Sequence, residues 1–284
     1  MHKYNQFIRD GACRAGNDVT VVARGRTREL LESRRLKLYH LLKRKHTVDE
    51  PRIVEAVGTE EAFDVVFSVM QNQLQLSLLE TLAAGNAPYV ILVSNNLTAV
   101  DAEAGILAHS PAPKTVLFGF QPSAGHRELN ETTVIYTGKG KMDIGGMHRR
   151  GGKQEKTMLE MLIKGTGYRF RWMDDMDAYY RTHAAMILPI VYVSYVCGCD
   201  LRKATRAQRR AILDATVEAC DALKAKGIRI QPEGDDAYFR KGAKRALMAT
   251  VYFIMAKTKF GENGRRVNPQ KLRFETSPAA IAAH

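Results

Sequence analysis

The sequence predicts an α/β protein: a mostly parallel sheet followed by an all-helical C-terminal domain. Two observations predict it. Between Asp18 and Phe120, short apolar runs rich in β-branched residues alternate with helical patterns, which is the order of strand–helix–strand crossovers. From Met176 onward, helical patterns follow one another with no strand between them. The division falls at 1–172 and 173–284.

Taken in order, Gln6 to Ala15 reads as a helix, with Gly16 as its left-handed C-terminal cap. Asp18 to Ala23 is a β-branched run of the kind buried on both faces of a sheet. A basic helical or loop stretch covers Thr27 to His46, and Pro51 to Val57 reads as an edge strand. Phe63 to Met70, Tyr89 to Ser94 and Thr115 to Phe120 are further strands, separated by helical patterns over Gln73 to Leu82 and Val100 to His109. Thr132 to Ile144 holds one or two more strands, and Gly165 to Trp172 a last short one. Helices then cover Met176 to Val196, Arg206 to Lys226 and Asp235 to Lys257, and the tail from Glu262 has no clear period.

Composition narrows the function classes. Apolar residues make up 45% and charged residues 26% of the 284, which is ordinary for a globular protein. The net charge of +13 favours anionic ligands. The basic runs Lys43 to His46 and Arg202 to Arg210 carry no interleaved aromatics, so they read as solvated surface rather than a nucleic-acid site. The longest apolar stretch, Ala184 to Cys197, is interrupted by Pro189 and too short to span a bilayer. Cys13, Cys197, Cys199 and Cys220 show neither disulfide nor zinc spacing. A reduced, soluble, cytoplasmic protein is expected, with no metal and no membrane contact.

Ligands of an open parallel sheet bind outside the carboxyl ends of its strands. The candidates therefore follow each strand: Arg24 and Arg26, Gln71 to Gln73, Asn95 and Asn96, and the loop from Gln121 to Glu128. An acid after the second strand of a dinucleotide-binding sheet meets a ribose 2′-hydroxyl, whereas arginine accepts a 2′-phosphate. Arg24 and Arg26 thus point to NADP. Asn95 and Asn96 are either ligand-orienting amides or turn residues. On the helix that opens the second domain, Arg181 offers a cation and His183 a group able to give up a proton, or a satisfied boundary histidine. No strand with a Gly-x-Gly-x-x-Gly turn precedes the first helix in the sequence.

The ordered segments Ala15 to Gly25, Phe63 to Gln73, Val93-Ser94-Asn95-Asn96, Leu117 to Phe120 with the loop to Glu128, Gly138 to Gly145 and Asp177 to Pro189 resemble the ketopantoate reductase (2-dehydropantoate 2-reductase) family. The resemblance runs from about Gly11 to about Gly261. It implies a Rossmann-like sheet lacking its first strand, a helical second domain, and an active site between them. It also implies hydride transfer from NADPH to a small-molecule 2-oxo acid, a step of pantothenate biosynthesis. By the same resemblance Arg24 meets the 2′-phosphate, Gln73 lies near the cofactor, and Asn95 lies by nicotinamide and substrate. Arg181 stands where the family has its general-acid lysine, and Ala185 stands one turn on in place of an asparagine. The family's late carboxylate has no counterpart. Two other readings remain: a relative that binds a ligand or partner without catalysis, and a basic nucleic-acid-binding protein. An open sheet edge predicts marginal stability and self-association as a homodimer.

Overall fold

The computed structural model describes residues 5–257, except 59, 128–130, 137 and 139. The chain divides into two compact units, Met1–Arg181 and Thr182–His284.

In the first unit the elements run α1 (Asn5–Arg14), β1 (Thr20–Val22), α2 (Gly25–Arg34), β2 (Leu36–His40), β3 (Lys45–Asp49), β4 (Arg52–Val54), β5 (Val65–Val69), α3 (Asn72–Leu76), α4 (Leu79–Ala84), β6 (Tyr89–Val93), α5 (Ala99–His109), β7 (Thr115–Phe120), β8 (Ala124–Arg127), β9 (Thr132–Ile135), β10 (Lys141–Gly145), α6 (Lys153–Leu162) and β11 (Arg169–Trp172). The helix α7 (Met176–Val196) crosses into the second unit, which continues with α8 (Arg206–Ala225) and α9 (Ala243–Lys257).

The central sheet has five strands in the order β11-β10-β7-β6-β5. β5, β6 and β7 are mutually parallel, β10 is antiparallel to β7, and β11 is parallel to β10. The mostly parallel α/β expectation is therefore met. Alternation along the strands sends successive side chains to opposite faces. Val90, Leu92, Val116 and Phe118 pack on one face with Ala99, Ala102 and Ile106 of α5. Ile91, Val93, Leu117 and Ile144 pack on the other with Leu159 of α6. A strand covered on both faces has no reason to be polar, which is why β6 and β7 read as unbroken apolar runs.

β1 and β4 form a parallel ladder of their own, Val21 opposite Ile53. Among the described residues no strand joins that ladder to the central sheet, whose outermost strand on that side is β5.

A further four-stranded sheet, β3-β2-β9-β8, departs from the sequence expectation. The stretch from Thr27 to His46 is a helix only as far as Arg34; β2 and β3 then pair antiparallel, turning through Arg44 at φ 49°. Lysines at 37, 43 and 45 hide the strand pattern, but Leu38 and His40, two apart, both point inward and are buried. α1 packs against β2 and β3. Its Asp10 is fully buried, accepts a hydrogen bond from the Tyr168 hydroxyl at 2.5 Å and pairs with Arg14 at 3.5 Å. His40 bridges Tyr136 Oη (2.8 Å) and Thr47 Oγ1 (3.0 Å). Gly11 is required where α1 crosses Tyr168, because a Cβ there would lie 2.6 Å from the ring. Gly16 caps α1 at φ 85°, as expected.

In the second unit, α8 begins at a capping box in which Thr205 and Gln208 satisfy each other's backbone N–H groups. Asp235–Tyr238 is a short 3-10 turn, so the long helix expected from Asp235 starts only at Ala243, after Gly242 at φ 97°. The expectations for Glu128, Gly261 and the tail from Glu262 lie outside the described residues.

Candidate functional site

Because β5, β6 and β7 are parallel and in register, Val65 opposite Tyr89 and Tyr89 opposite Thr115, their carboxyl ends meet at one edge of the sheet. The residues that follow them line a cavity of about 290 Å³: Met70 to Gln73 after β5, Val93 to Asn95 at β6, and Phe120 and Gln121 at β7. That volume lies at the lower end of small-molecule sites. Gln73 and Asn95, both named from the sequence, therefore come together.

The cavity floor is held by hydrogen bonds beneath it. Buried Gln75 donates from Nε2 to the Ser68 carbonyl (2.6 Å), and its Oε1 accepts from Ser94 Oγ (2.9 Å). One side chain thus ties β5 to the end of β6. Gln73 Nε2 donates to Gln71 Oε1 (3.1 Å), and Asn72 Nδ2 to Thr98 Oγ1 (2.9 Å). Asn96 accepts from the Thr98 backbone N–H (2.9 Å) and so belongs to the turn that starts α5. Asn95 is exposed at the cavity.

The β7 wall is fixed from the other side. Buried Tyr180 donates its hydroxyl to the Gly119 carbonyl (3.1 Å). Gly119 is closely packed: a Cβ would sit 3.0 Å from Met142 Sδ and 3.1 Å from Val93 Cγ2, so a side chain there would require both neighbours to give way slightly. Asp143, fully buried, receives both Arg171 N–H donors at 2.6 Å and the Tyr179 hydroxyl at 2.6 Å. That fork-to-carboxylate pairing leaves the charge paired inside the protein. Burial, then the Asp143 charge, pushes the Tyr179 hydroxyl well above its ordinary range, so it stays a donor.

Polar atoms around the cavity are left over. Both amide atoms of Gln121, Asn72 Oδ1 and Asn96 Nδ2 are buried without a hydrogen-bond partner among the described residues. Buried amides ordinarily find partners, so a polar ligand fits this end of the sheet. Gln121 entered the sequence reading only as the start of a loop; the rule that ligands bind at strand ends was the signal that reached it.

The other expected site residues lie elsewhere. Arg24 precedes α2, and its Nε donates to the Glu55 carbonyl (2.9 Å), which fixes the guanidinium beside the end of β4. Arg26 is exposed in the first turn of α2. Neither lines the cavity. Arg181 pairs with Asp177 one turn earlier (2.8 Å), and that hydrogen bond holds its guanidinium still more firmly protonated. His183 is half-buried in the second unit. Two residues apart on α7, Arg181 and His183 leave the helix about 200° apart, so they face different surroundings.

No protein-family model matches the sequence, and no curated protein matches it. Solved structures do match in three dimensions. The 2-dehydropantoate 2-reductase from Geobacter metallireducens GS-15 has a TM-score of 0.67 at 15% identity, over 92% of this chain and 83% of that one. The 2-dehydropantoate 2-reductase from Methylococcus capsulatus gives 0.65 at 15% identity, over 93% and 81%. D-mandelate dehydrogenase in its ternary structure with NADH and anilino(oxo)acetate gives 0.61 at 13% identity, over 89% and 76%. No described helix is long and apolar enough to cross a membrane. The chain has the fold of the 2-dehydropantoate 2-reductases.

Proposed function

We propose that the chain is an NADP-dependent reductase of small 2-oxo acids, with the nicotinamide bound at the carboxyl ends of β5, β6 and β7. The observation that carries this reading is the amide-lined cavity at that edge, with buried amide atoms that no described residue satisfies. The fold likeness adds support, since the similar structures include 2-dehydropantoate 2-reductases and a mandelate dehydrogenase with NADH. Arg24 and Arg26 hold the ribose 2′-phosphate, Gln73 and Asn95 contact the cofactor, and Asn95 also orients the substrate. A reduced nicotinamide, when bound, supplies a hydride.

The chain must hold the acid and deliver a proton to the carbonyl oxygen. Arg181 is suited to the first task, because a guanidinium pairs with a carboxylate in two places and keeps its own proton. His183 is the titratable group for the second. Because they leave α7 on different sides, Arg181 and His183 are alternatives for direct contact with the substrate, and separate substitution of each distinguishes them. Binding without turnover is the second reading, and the arginine at position 181 favours it.

Fluorescence titration with NADPH and NADH, then oxidation of each with a panel of 2-oxo acids, tests the proposal. Tighter NADPH binding and 2-oxo-acid-dependent oxidation are expected. Binding without oxidation leaves only the second reading, and no binding of either dinucleotide contradicts both.

A further inference from the structure

Gln121 stands apart from the other amides of the cavity. It is 2% exposed, and both Nε2 and Oε1 are buried without a partner among the described residues. By contrast Gln73 and Gln71 bond to each other, Gln75 bonds to Ser68 and Ser94, and Asn72 bonds to Thr98 through one end. The backbone around Gln121 is fixed: its carbonyl accepts from the Ser123 N–H (2.8 Å), and Gly119, two residues earlier, is held by Tyr180.

A planar amide with a free donor and a free acceptor side by side is complementary to a ligand group that offers an acceptor and a donor in the same spacing. A carboxylate offers acceptors only, so it would satisfy Nε2 and leave Oε1 buried and unpaired, an unfavourable arrangement. A primary carboxamide satisfies both. Resting on the reductase reading above, we propose that Gln121 pairs through both amide atoms with the carboxamide of the nicotinamide ring, and so reads that group and orients the ring at the end of β7. Gln121 is a cofactor-positioning residue in this account, and the 2-oxo acid is held by other groups.

The test compares carboxamide with methyl ketone. Calorimetric titration is run with NAD and NADP, each beside its 3-acetylpyridine analogue, which keeps the carbonyl acceptor and lacks the N–H. The unaltered chain is expected to prefer the carboxamide by about tenfold, the value of one buried hydrogen bond. Gln121→Met removes donor and acceptor at similar volume and is expected to bring the preference within about twofold. Gln121→Glu is expected to weaken both ligands yet keep the preference, since a carboxylate still accepts from the amide N–H. The comparison on the unaltered chain stands even if a variant does not fold. Dinucleotide binding without carboxamide preference, or a preference that survives Gln121→Met, overturns the pairing and leaves the reductase proposal standing. No dinucleotide binding overturns both.

Discussion

Single residues set what the site can select and what chemistry it can do. Arg24 is anchored through Nε on the Glu55 carbonyl, which leaves its Nη groups for a phosphate. Arg24→Ala is expected to raise the Kd for NADPH about tenfold and to leave NADH nearly unchanged, read by fluorescence titration, because a charge-assisted hydrogen bond contributes about 1.5–3 kcal/mol. Equal losses for both dinucleotides would remove Arg24 from the 2′-phosphate. Arg181 carries a different expectation. Arginine retains its proton at working pH and lysine can release one, so Arg181→Lys is expected to raise kcat with a 2-oxo acid, whereas Arg181→Ala is expected to raise KM. A kcat unchanged in the lysine variant places proton delivery on another group, and a pH profile that follows His183→Gln would identify it.

At the scale of elements, the strands buried on both faces were legible because short, β-branched apolar runs bounded by turns mark them, and the longer run of α7 marks a helix: β6, β7 and α7 appear where their patterns place them. Ile91 is fully buried between sheet and α6, and Ile91→Ala is expected to destabilise by about 2–5 kcal/mol in denaturant unfolding. Of the sheet of β2, β3, β8 and β9 only β9 was legible, inside the run from Thr132 to Ile144; β2 and β3 are short and basic, β8 lies in an expected loop, and the pairing joins segments far apart in sequence. The candidate site was legible to the same extent as the strands. Gln73 and Asn95 follow from the rule about strand ends, but nothing in the sequence distinguishes the unpaired amide of Gln121 from the paired amide of Gln75. Nor could the sequence show that α1 brings its own carboxyl, Asp10, against that of Asp49 on β3. Asp49 is pushed up to about 7 by burial and then by Asp10, while Arg14 opposes the rise. Asp10 Oδ1 and Asp49 Oδ2 both lack a donor among the described residues, an arrangement relieved when Asp49 carries a proton. Tyr168, Tyr136, His40, Lys43 and Lys45 complete the charged and titratable surroundings. A carboxyl whose folded-state pKa is raised contributes stability below its unfolded pKa of about 4 and loses that contribution as pH rises through about 7. Asp49→Asn is therefore expected to raise Tm relative to the unaltered chain, with a gap that widens from pH 5 to pH 8 on the scale of that titration. A constant gap across the range contradicts the raised Asp49 carboxyl.

At the scale of the whole molecule, the ladder of β1 and β4 and the outer edge of β5 leave strand edges without ladder partners among the described residues. Such edges template further pairing, so we expect concentration-dependent self-association in sedimentation velocity. Val66 alternates with Val65 and Phe67, which pack toward α6, so Val66→Lys tests the edge with little damage to that core and is expected to weaken association. A monomer at every concentration contradicts it. The account as a whole depends on what occupies the edge where β5, β6 and β7 end. A crystal structure of the chain grown with NADPH tests that most directly. The account predicts a nicotinamide ring in the cavity lined by Gln73, Asn95 and Gln121. A cavity holding only water, with the dinucleotide bound elsewhere or absent, would contradict it.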